Sequence, residues 1–280
     1  MKHQYYFMAG LPRSGSTLLK SILNQNPNVF ASPISPVMEL MYWNEEYFKK
    51  SEQYQAYPKP KSAFKIISGM LDNFYDDVEN PIIIDHCRAW SNNIQRLKTY
   101  ATENPKIICP VRDVVEILAS FIDLIERNSD QQSFIDKYLI ENKLPVTNDN
   151  RCEHLMSDIG IVGQSLWAQY QAFVKNDTKH LYFVEYNDLI ENPQETMNGI
   201  YNFLEIDTYT HDFNNIVNIH RELDAEIYSL KDMHYVRKEL KKTSKRPEDL
   251  LSAYILNKYS KQEYWKYSDH RYLSDGSTYK

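Results

Sequence analysis

The chain has 280 residues, 42% of them hydrophobic, which is enough to bury a core, and we expect a single domain over residues 1–280. Its aromatic content of 13% argues against disorder, and its net charge of −6 argues against general nucleic-acid binding, which needs a basic surface. Cys87, Cys109 and Cys152 have no CxxC spacing, so they predict neither a disulfide framework nor a metal site.

The sequence also lacks two patterns that would direct the protein to a membrane or to secretion. No apolar run reaches the roughly 18 residues that a transmembrane helix needs. No signal-peptide pattern precedes the first predicted strand. We therefore expect a soluble protein of the reducing cytoplasm, with no stable membrane insertion.

Short apolar runs alternate with helical patterns, which is typical of an α/β fold. We expect a central, mainly parallel sheet of about four or five strands, flanked by helices. The predicted strands are Tyr5–Ala9, Pro81–Asp85, Lys106–Val111 and His180–Tyr186. The predicted helices are Leu18–Asn24, Val37–Lys50, Ser62 to about Tyr75, Asp158–Val174, Gln194–Leu204 and Pro247 to about Tyr259, and the proline-containing segment Ser32–Pro36 is predicted to be a loop.

A glycine-containing loop, Gly10–Thr17, joins the first predicted strand to the first predicted helix. Glycines let the backbone turn so that successive N–H groups point inward, and the helix adds free N–H groups and the positive end of its dipole. The loop therefore predicts an anion site. Its candidate ligands are Arg13, Ser14, Gly15, Ser16 and Thr17.

The loop differs from the nucleotide-binding pattern GxxxxGK[ST] at one informative place. Gly10 and Gly15 have the right spacing, but Ser16 stands where the lysine should be, and Arg13 is the only cation. The run Pro12–Thr17 resembles the loop of P-loop-type sulfotransferases, whose donor is 3'-phosphoadenosine 5'-phosphosulfate (PAPS). This resemblance implies a P-loop-type, three-layer fold.

Two later motifs extend the resemblance in the family's order. Arg112 ends a predicted strand and Ser120 follows eight residues later on a helix, like the family element that clamps the donor's 3'-phosphate. The planar guanidinium of arginine suits that task, since it makes two charge-assisted bonds to phosphate oxygens. Tyr186 begins the pattern Tyr-x-Asp-Leu-x-x-x-Pro, and the resemblance implies that it lies near the adenine end of the donor.

Two segments are expected to surround the site. Residues 128–150 are polar and uneven and are interpreted as an insertion or substrate lid, with Asn148–Asn150 at its tip. The basic residues near 237–246 resemble the family's C-terminal segment, which folds back over the 3'-phosphate. Arg237 and Lys238 are therefore candidate donor ligands, and residues 230–280 are expected to close over the donor.

The resemblance implies transfer of a sulfuryl group from PAPS to a hydroxyl or amine by in-line displacement, with 3',5'-adenosine diphosphate (PAP) as the product. Arg13 and the loop N–H groups would stabilise charge on the leaving oxygen. The scheme requires no metal ion. The acceptor would be a small molecule, a sugar or a lipid, and neither its identity nor the oligomeric state follows from the sequence.

The reaction also needs a general base that takes the proton of the acceptor. Tyrosylprotein members of the family carry a glutamate about twenty residues after the loop, but Ala31–Ser35 contains no carboxylate. Cytosolic members use a histidine after a main strand, and His86 has a comparable place. A neutral imidazole accepts a proton near neutral pH, so His86 is the first candidate, with Asp85 and Glu39 as alternatives.

Two other functions stay open. An ATP-dependent small-molecule kinase is one, although Ser16 in the lysine position argues against it. The other is a catalytically inactive nucleotide-binding protein, which the missing glutamate allows.

Overall fold

A parallel sheet of five strands forms the centre of the fold, in the strand order β2-β3-β1-β4-β5. A computed structural model of the protein describes residues 2–242 and 245–267. All four strand pairings are parallel. The strands are β1 Gln4–Met8, β2 Val29–Ile34, β3 Ile82–His86, β4 Ile107–Val111 and β5 Leu181–Glu185.

Helices cover both faces of the sheet, and none in the described ranges combines the length and the apolar character needed to cross a bilayer. The α-helices are α1 Ser16–Leu23, α2 Val37–Lys50, α3 Glu52–Ala56, α4 Pro60–Ser68, α5 Met70–Phe74, α6 Ile94–Tyr100, α7 Val114–Arg127, α8 Phe134–Glu141, α9 Asn148–Met156, α10 Ile161–Val174, α11 Tyr186–Glu191, α12 Pro193–Leu204, α13 Asp224–Tyr228 and α14 Ala253–Tyr259. Short 3-10 helices occupy Arg88–Asn92, Thr178–His180, Pro247–Asp249 and Tyr264–Tyr267.

The predicted α/β class and the parallel sheet are confirmed. All four predicted strands are present to within one residue at either end, and the helix predicted over Val37–Lys50 has those bounds. The strands could be recognised because their side chains pack on both faces of the sheet, which makes them continuously apolar. Tyr5 and Phe7 face one packed layer, whereas Tyr6 and Met8 face the other.

The fifth strand was missed, because the loop prediction for Ser32–Pro36 was wrong at its start. Residues Val29–Ile34 form β2 at the edge of the sheet. Its pairing with β3 shifts register between Ala31 and Ile34, and Pro33 lies inside that irregular stretch. An edge strand tolerates proline and a bulge, and both hide the alternation that marks a strand.

Within the segment 128–150, the predicted loop tip differs from the structure. Asn148–Asn150, expected at a loop tip, is the first turn of α9, where Thr147 accepts a hydrogen bond from the Asn150 N–H at 3.2 Å. Within α8, Ile135 and Leu139 are fully buried in a core cluster that also contains residues of α7 and α9. The segment is therefore packed helical structure, because its apolar residues recur one helical turn apart between polar neighbours.

Two other helices differ from their predicted extents. The helix predicted over Ser62 to Tyr75 is divided at Gly69 into α4 and α5. The helix predicted from Pro247 is a 3-10 turn followed by α14.

The parallel sheet brings the ends of four strands to one edge. Met8 pairs with His86 and with Ile108, and Val111 pairs with Glu185. The loop after β1, the end of β3 and the residues following β4 and β5 therefore meet at the carboxyl edge, where open α/β sheets bind ligands.

One buried carboxylate ties this edge to the neighbouring elements. Asp85 on β3 is fully buried and accepts hydrogen bonds from Ser35 Oγ at 2.5 Å, Tyr75 Oη at 2.5 Å and Trp90 Nε1 at 2.6 Å. Burial raises the pKa of Asp85, and the three donors oppose that shift. Asp85 thus joins β2, α5 and the 3-10 helix that follows β3.

We expect Tyr75→Phe to lower the free energy of unfolding by about 1–3 kcal/mol, because it removes one donor from a buried acceptor without changing the shape of the ring. Denaturant unfolding measures this difference. Tyr57→Phe is the matched control, since Tyr57 is 70% exposed and its hydroxyl has no such bond among the described residues. Equal stability of the two variants would contradict the structural role given to Asp85.

Candidate active site

A cavity of about 370 Å³ opens at the carboxyl edge of the sheet, a volume within the range of about 300–1,000 Å³ usual for small-molecule sites. We call it the basic cavity. The basic side chains among its lining residues are Arg13, Lys20, Arg88, Arg112, Arg127, Arg237, Lys241 and Lys245, and the carboxylates among them are Asp123, Glu222 and Glu239. An acidic protein therefore concentrates positive charge in one recess, which suits a multiply charged anion.

The loop between β1 and α1 forms one wall of the cavity and requires glycine at two places. A Cβ on Gly10 would lie 2.7 Å from Pro110 Cδ, and one on Gly15 would lie 2.8 Å from Tyr186 Cδ2. Gly15 also has a φ of +87°, and Arg13 has a φ of +58°. The loop thus turns tightly against the end of β4 and against Tyr186 before α1 begins.

The structure separates the predicted loop ligands into two groups. Arg13, Gly15, Ser16 and Thr17 line the cavity. Ser14 is 1% exposed, and its Oγ lies 2.6 Å from Leu11 O and 2.9 Å from Pro110 O, so its hydroxyl holds the loop in shape. Ser14 therefore offers a ligand only its backbone N–H.

Four residues predicted from separate motifs meet at this wall. Arg13 Nε donates to Ser120 Oγ at 3.2 Å, and Arg112 Nη1 donates to Arg13 O at 3.4 Å. The Arg112 guanidinium also lies over the Tyr186 ring, 4.4 Å from its centre, and its Nε donates to Glu116 Oε2 at 2.8 Å. Arg13, Arg112, Ser120 and Tyr186 all line the cavity.

The positive charge of Arg13 is disfavoured by its surroundings. Burial, followed by the neighbouring charges of Arg112 and Arg127, lowers the pKa of Arg13 to about 10. Arg13 stays protonated at neutral pH, and its Nη1 donates to Met233 O. An anion in the cavity would relieve the repulsion among these cations.

The C-terminal candidates have different positions. Arg237 lines the basic cavity, whereas Lys238 lines a neighbouring depression with residues 215–218, and its carbonyl accepts from Ile216 N at 2.7 Å. Lys241 and Lys245 also reach the cavity, and Lys245 pairs with Asp123 at 2.7 Å. Thr243, Ser244 and residues 268–280, which belong to the predicted closing segment, lie outside the described residues.

The segment 128–150, predicted as an insertion or lid, contributes no residue to the cavity lining. The centre of its Phe134 ring lies 6.0 Å from the centre of the Tyr228 ring. Lys137 Nζ donates to Ser229 Oγ at 2.7 Å. Because Tyr228 itself lines the cavity, the segment supports the cavity wall from behind.

His86 lies at the end of β3, is 4% exposed and lines the cavity. Its Nδ1 is 3.3 Å from Lys20 Nζ. Burial, and then the cations Lys20 and Arg88, lower the pKa of His86 well below its usual value. A charged Lys20 can only donate, so Nδ1 accepts and the proton of the neutral ring lies on Nε2.

The two alternative bases have other positions. All three bonds to Asp85 described above come from buried neighbours, and Asp85 is not among the lining residues. Glu39 is exposed on α2 and is also outside the lining. Neither carboxylate faces the basic cavity.

Lys20 was missed in the sequence. It lies on α1, is 3% exposed and faces the cavity beside His86. Burial lowers the pKa of Lys20 to about 8, while Glu222 opposes the shift and Arg88 reinforces it. Helical spacing could have found it, since Lys20 follows Ser16 by four residues and therefore shares the face of α1 that begins at the loop.

A second group, within residues 222–234, was also missed. His234 Nδ1 lies 2.5 Å from Asp224 Oδ1 and 3.6 Å from Glu222 Oε2. This segment contains one short helix, α13, and no strand, so no periodic pattern marked it. In the described ranges no three His, Cys, Asp or Glu side chains are grouped as a metal site needs.

The sequence matches one family over most of its length. A family model described as the sulfotransferase family matches residues 6–211. The chain belongs to the sulfotransferase family. The match includes the Gly10–Thr17 loop, Arg112, Ser120 and Tyr186, and it ends before Glu222, Asp224 and His234. No curated protein sequence matches the chain.

One solved sulfotransferase domain shares the fold at low sequence identity, and two further structures are similar at lower TM-scores. The sulfotransferase domain from the curacin biosynthetic pathway is 16% identical, with 92% of this chain and 97% of that chain covered and a TM-score of 0.56. The sulfotransferase domain from the olefin synthase of Synechococcus PCC 7002 is 15% identical. The alignment covers 89% of this chain and 87% of that chain, with a TM-score of 0.48. The sulfotransferase from Alicyclobacillus acidocaldarius is 13% identical. The alignment covers 80% of this chain and 88% of that chain, with a TM-score of 0.47.

Lys20 predicts a pH dependence of anion binding. Its pKa of about 8 means that the charged form is lost as the pH rises through 8, and an anion binds the charged form better. We expect the affinity for PAP to fall by about tenfold between pH 7 and pH 9, as the loss of one charged hydrogen bond implies.

Calorimetry of PAP binding across this pH range, in buffers of different ionisation enthalpy, measures the affinity and the proton uptake at pH 8. Lys20→Met should bind more weakly at pH 7 and lose the pH dependence. Lys50→Met, which changes an exposed lysine of α2, should retain the wild-type profile. A pH dependence unchanged in Lys20→Met would show that another group titrates.

Proposed function

We propose that this sulfotransferase moves a sulfuryl group from PAPS to a hydroxyl or amine of a small-molecule, sugar or lipid acceptor. The observation that carries the proposal is the convergence of Arg13, Arg112, Ser120 and Tyr186 beside the loop in a cavity rich in cations. A donor with phosphates at both ends of its ribose needs two separate anion sites that lie close together.

The proposed donor placement assigns one part of PAPS to each part of the wall. The 5'-phosphosulfate lies on the loop, where Gly15, Ser16 and Thr17 offer N–H groups at the start of α1. The 3'-phosphate lies between Arg112 and Ser120, and the adenine lies on the side of Tyr186. The stack of Arg112 on Tyr186 would fix the guanidinium for this contact.

In the proposed reaction the acceptor oxygen or nitrogen attacks sulfur in line with the bond to the 5'-phosphate oxygen. The new bond to sulfur forms as the sulfur–oxygen bond of the donor breaks, and PAP leaves with the electron pair. Negative charge grows on the 5'-phosphate at that moment. Arg13, the loop N–H groups and Lys20 are positioned to stabilise it, because they are already desolvated in the cavity.

We retain the cytoplasmic setting as part of the proposal. Its support is that Cys87, Cys109 and Cys152 are free and buried, which is ordinary in a reducing compartment. The proposed acceptor is a small molecule, a sugar or a lipid.

Isothermal calorimetry of PAP binding without magnesium tests the donor assignment. We expect micromolar binding to the wild type and a loss of about tenfold or more in Arg13→Ala and in Arg112→Ala, since each removes a charged partner of a phosphate. Arg246→Ala is the matched control, because Arg246 is exposed and pairs with Asp249 outside the cavity lining.

ATP with magnesium is the competing ligand. The proposal predicts that ATP binds much more weakly than PAP. Binding of ATP with magnesium in preference to PAP, or no binding of PAP, would contradict the proposal and favour the kinase alternative. Tight PAP binding without transfer to any acceptor would favour an inactive nucleotide-binding protein.

A further inference from the structure

A transfer to a hydroxyl or amine needs a group that accepts the acceptor's proton. We propose that His234, oriented by Asp224, is this general base. The inference rests on the proposed function and adds a residue that lies beyond the family match at residues 6–211.

The carboxylate of Asp224 holds His234 at two points. Its Oδ1 lies 2.5 Å from His234 Nδ1, and its Oδ2 accepts from the backbone N–H of His234 at 2.8 Å. The His234 carbonyl accepts from Asn218 Nδ2 at 3.3 Å, which fixes the other side of the backbone. Ring and main chain are therefore oriented together.

This contact determines which nitrogen can act. A carboxylate accepts, so it keeps the proton of the neutral ring on Nδ1 and leaves the lone pair on Nε2. No side chain in the described ranges forms a hydrogen bond with His234 Nε2, and His234 lines the basic cavity. The lone pair is free to accept a proton from a bound acceptor.

His86 has the opposite arrangement. Its Nδ1 faces Lys20 Nζ, so its proton lies on Nε2, which is buried without a hydrogen-bond partner in the described structure. Its surroundings are cationic and disfavour the imidazolium form. His86 is therefore suited to donate a hydrogen bond, whereas His234 is suited to accept a proton.

Two carboxylates lie beside His234, where the reaction would create a charged ring. Glu222 Oε2 lies 3.6 Å from Nδ1 and is buried without a hydrogen-bond partner among the described residues. Asp224 supplies a second carboxylate, and Tyr228 contributes a ring 6.2 Å away, centre to centre. Cations also lie near these carboxylates: Asp224 influences Arg13, and Glu222 influences both Lys20 and Arg88. Two adjacent carboxylates stabilise an imidazolium.

The proposed step transfers one proton and one sulfuryl group. The O–H or N–H bond of the acceptor breaks, and its proton moves to His234 Nε2. The electron pair left on the acceptor forms the bond to sulfur, and the bond between sulfur and the 5'-phosphate oxygen breaks. The imidazolium returns its proton to water after PAP leaves.

Release of PAP from PAPS, with water as the acceptor, tests the base without knowledge of the natural acceptor. We expect His234→Gln to lower the rate by about 100-fold or more, as the loss of a general base does, while PAP affinity stays within about threefold of wild type. His154→Gln is the matched control, because His154 stacks on Tyr138 outside the cavity lining. It should keep the wild-type rate.

Asp224 is a positioning residue, so its variant has a different signature. Asp224→Asn should lower the rate and move the acidic limb of the pH–rate profile to lower pH, because the imidazolium loses a neighbouring negative charge. A purely structural role would lower the rate without moving the limb. Nitrogen-15 NMR of the wild type bound to PAP should show His234 protonated on Nδ1, with the signal assigned by its absence in His234→Gln.

The outcomes separate the two proposals. If the wild type does not bind PAP, the proposed function itself fails. If PAP binds and His234→Gln keeps the wild-type rate, or loses PAP binding as well, His234 is not the base. A neutral His234 protonated on Nε2 overturns the inference, even if the wild type releases no PAP. A loss of rate confined to His86→Gln would assign the base to His86.

Discussion

The contact between the Gly10–Thr17 loop and the end of β4 is the constraint on which the site depends. No side chain fits at Gly10, where a Cβ would lie 2.7 Å from Pro110 Cδ, and the Ser14 hydroxyl bonds to the carbonyls beside it. With the loop fixed there, Arg13 turns into the cavity and its carbonyl meets Arg112. The parallel sheet supplies the rest, because it ends β3, β4 and β5 at the same edge.

The second constraint is electrostatic. Burial lowers the pKa values of Arg13 and Lys20, so the fold keeps cations where water solvates them poorly. Such a grouping of buried cations costs stability, and binding of an anion that neutralises them offsets this cost. The net charge of −6 is therefore no guide to the ligand, because eight of the 32 lysines and arginines line one recess.

The sequence was informative wherever a site residue directly follows a regular element. The Gly10–Thr17 loop, Arg112 and Tyr186 each follow a strand, and a strand fixes the place of its next residue in a parallel sheet. The edge strand β2 escaped notice because Pro33 and a bulge interrupt its alternation. His234 and Asp224 could not be paired in advance, since they lie ten residues apart in a largely irregular segment and only tertiary packing brings them together.

A crystal structure of the protein with PAP tests the central claim most directly. The account predicts the 5'-phosphate at the N–H groups of Gly15–Thr17 and the 3'-phosphate between Arg112 and Ser120. It also predicts His234 on the side of the cavity from which an acceptor would attack. A nucleotide bound in the reverse direction, or outside the basic cavity, would contradict the account.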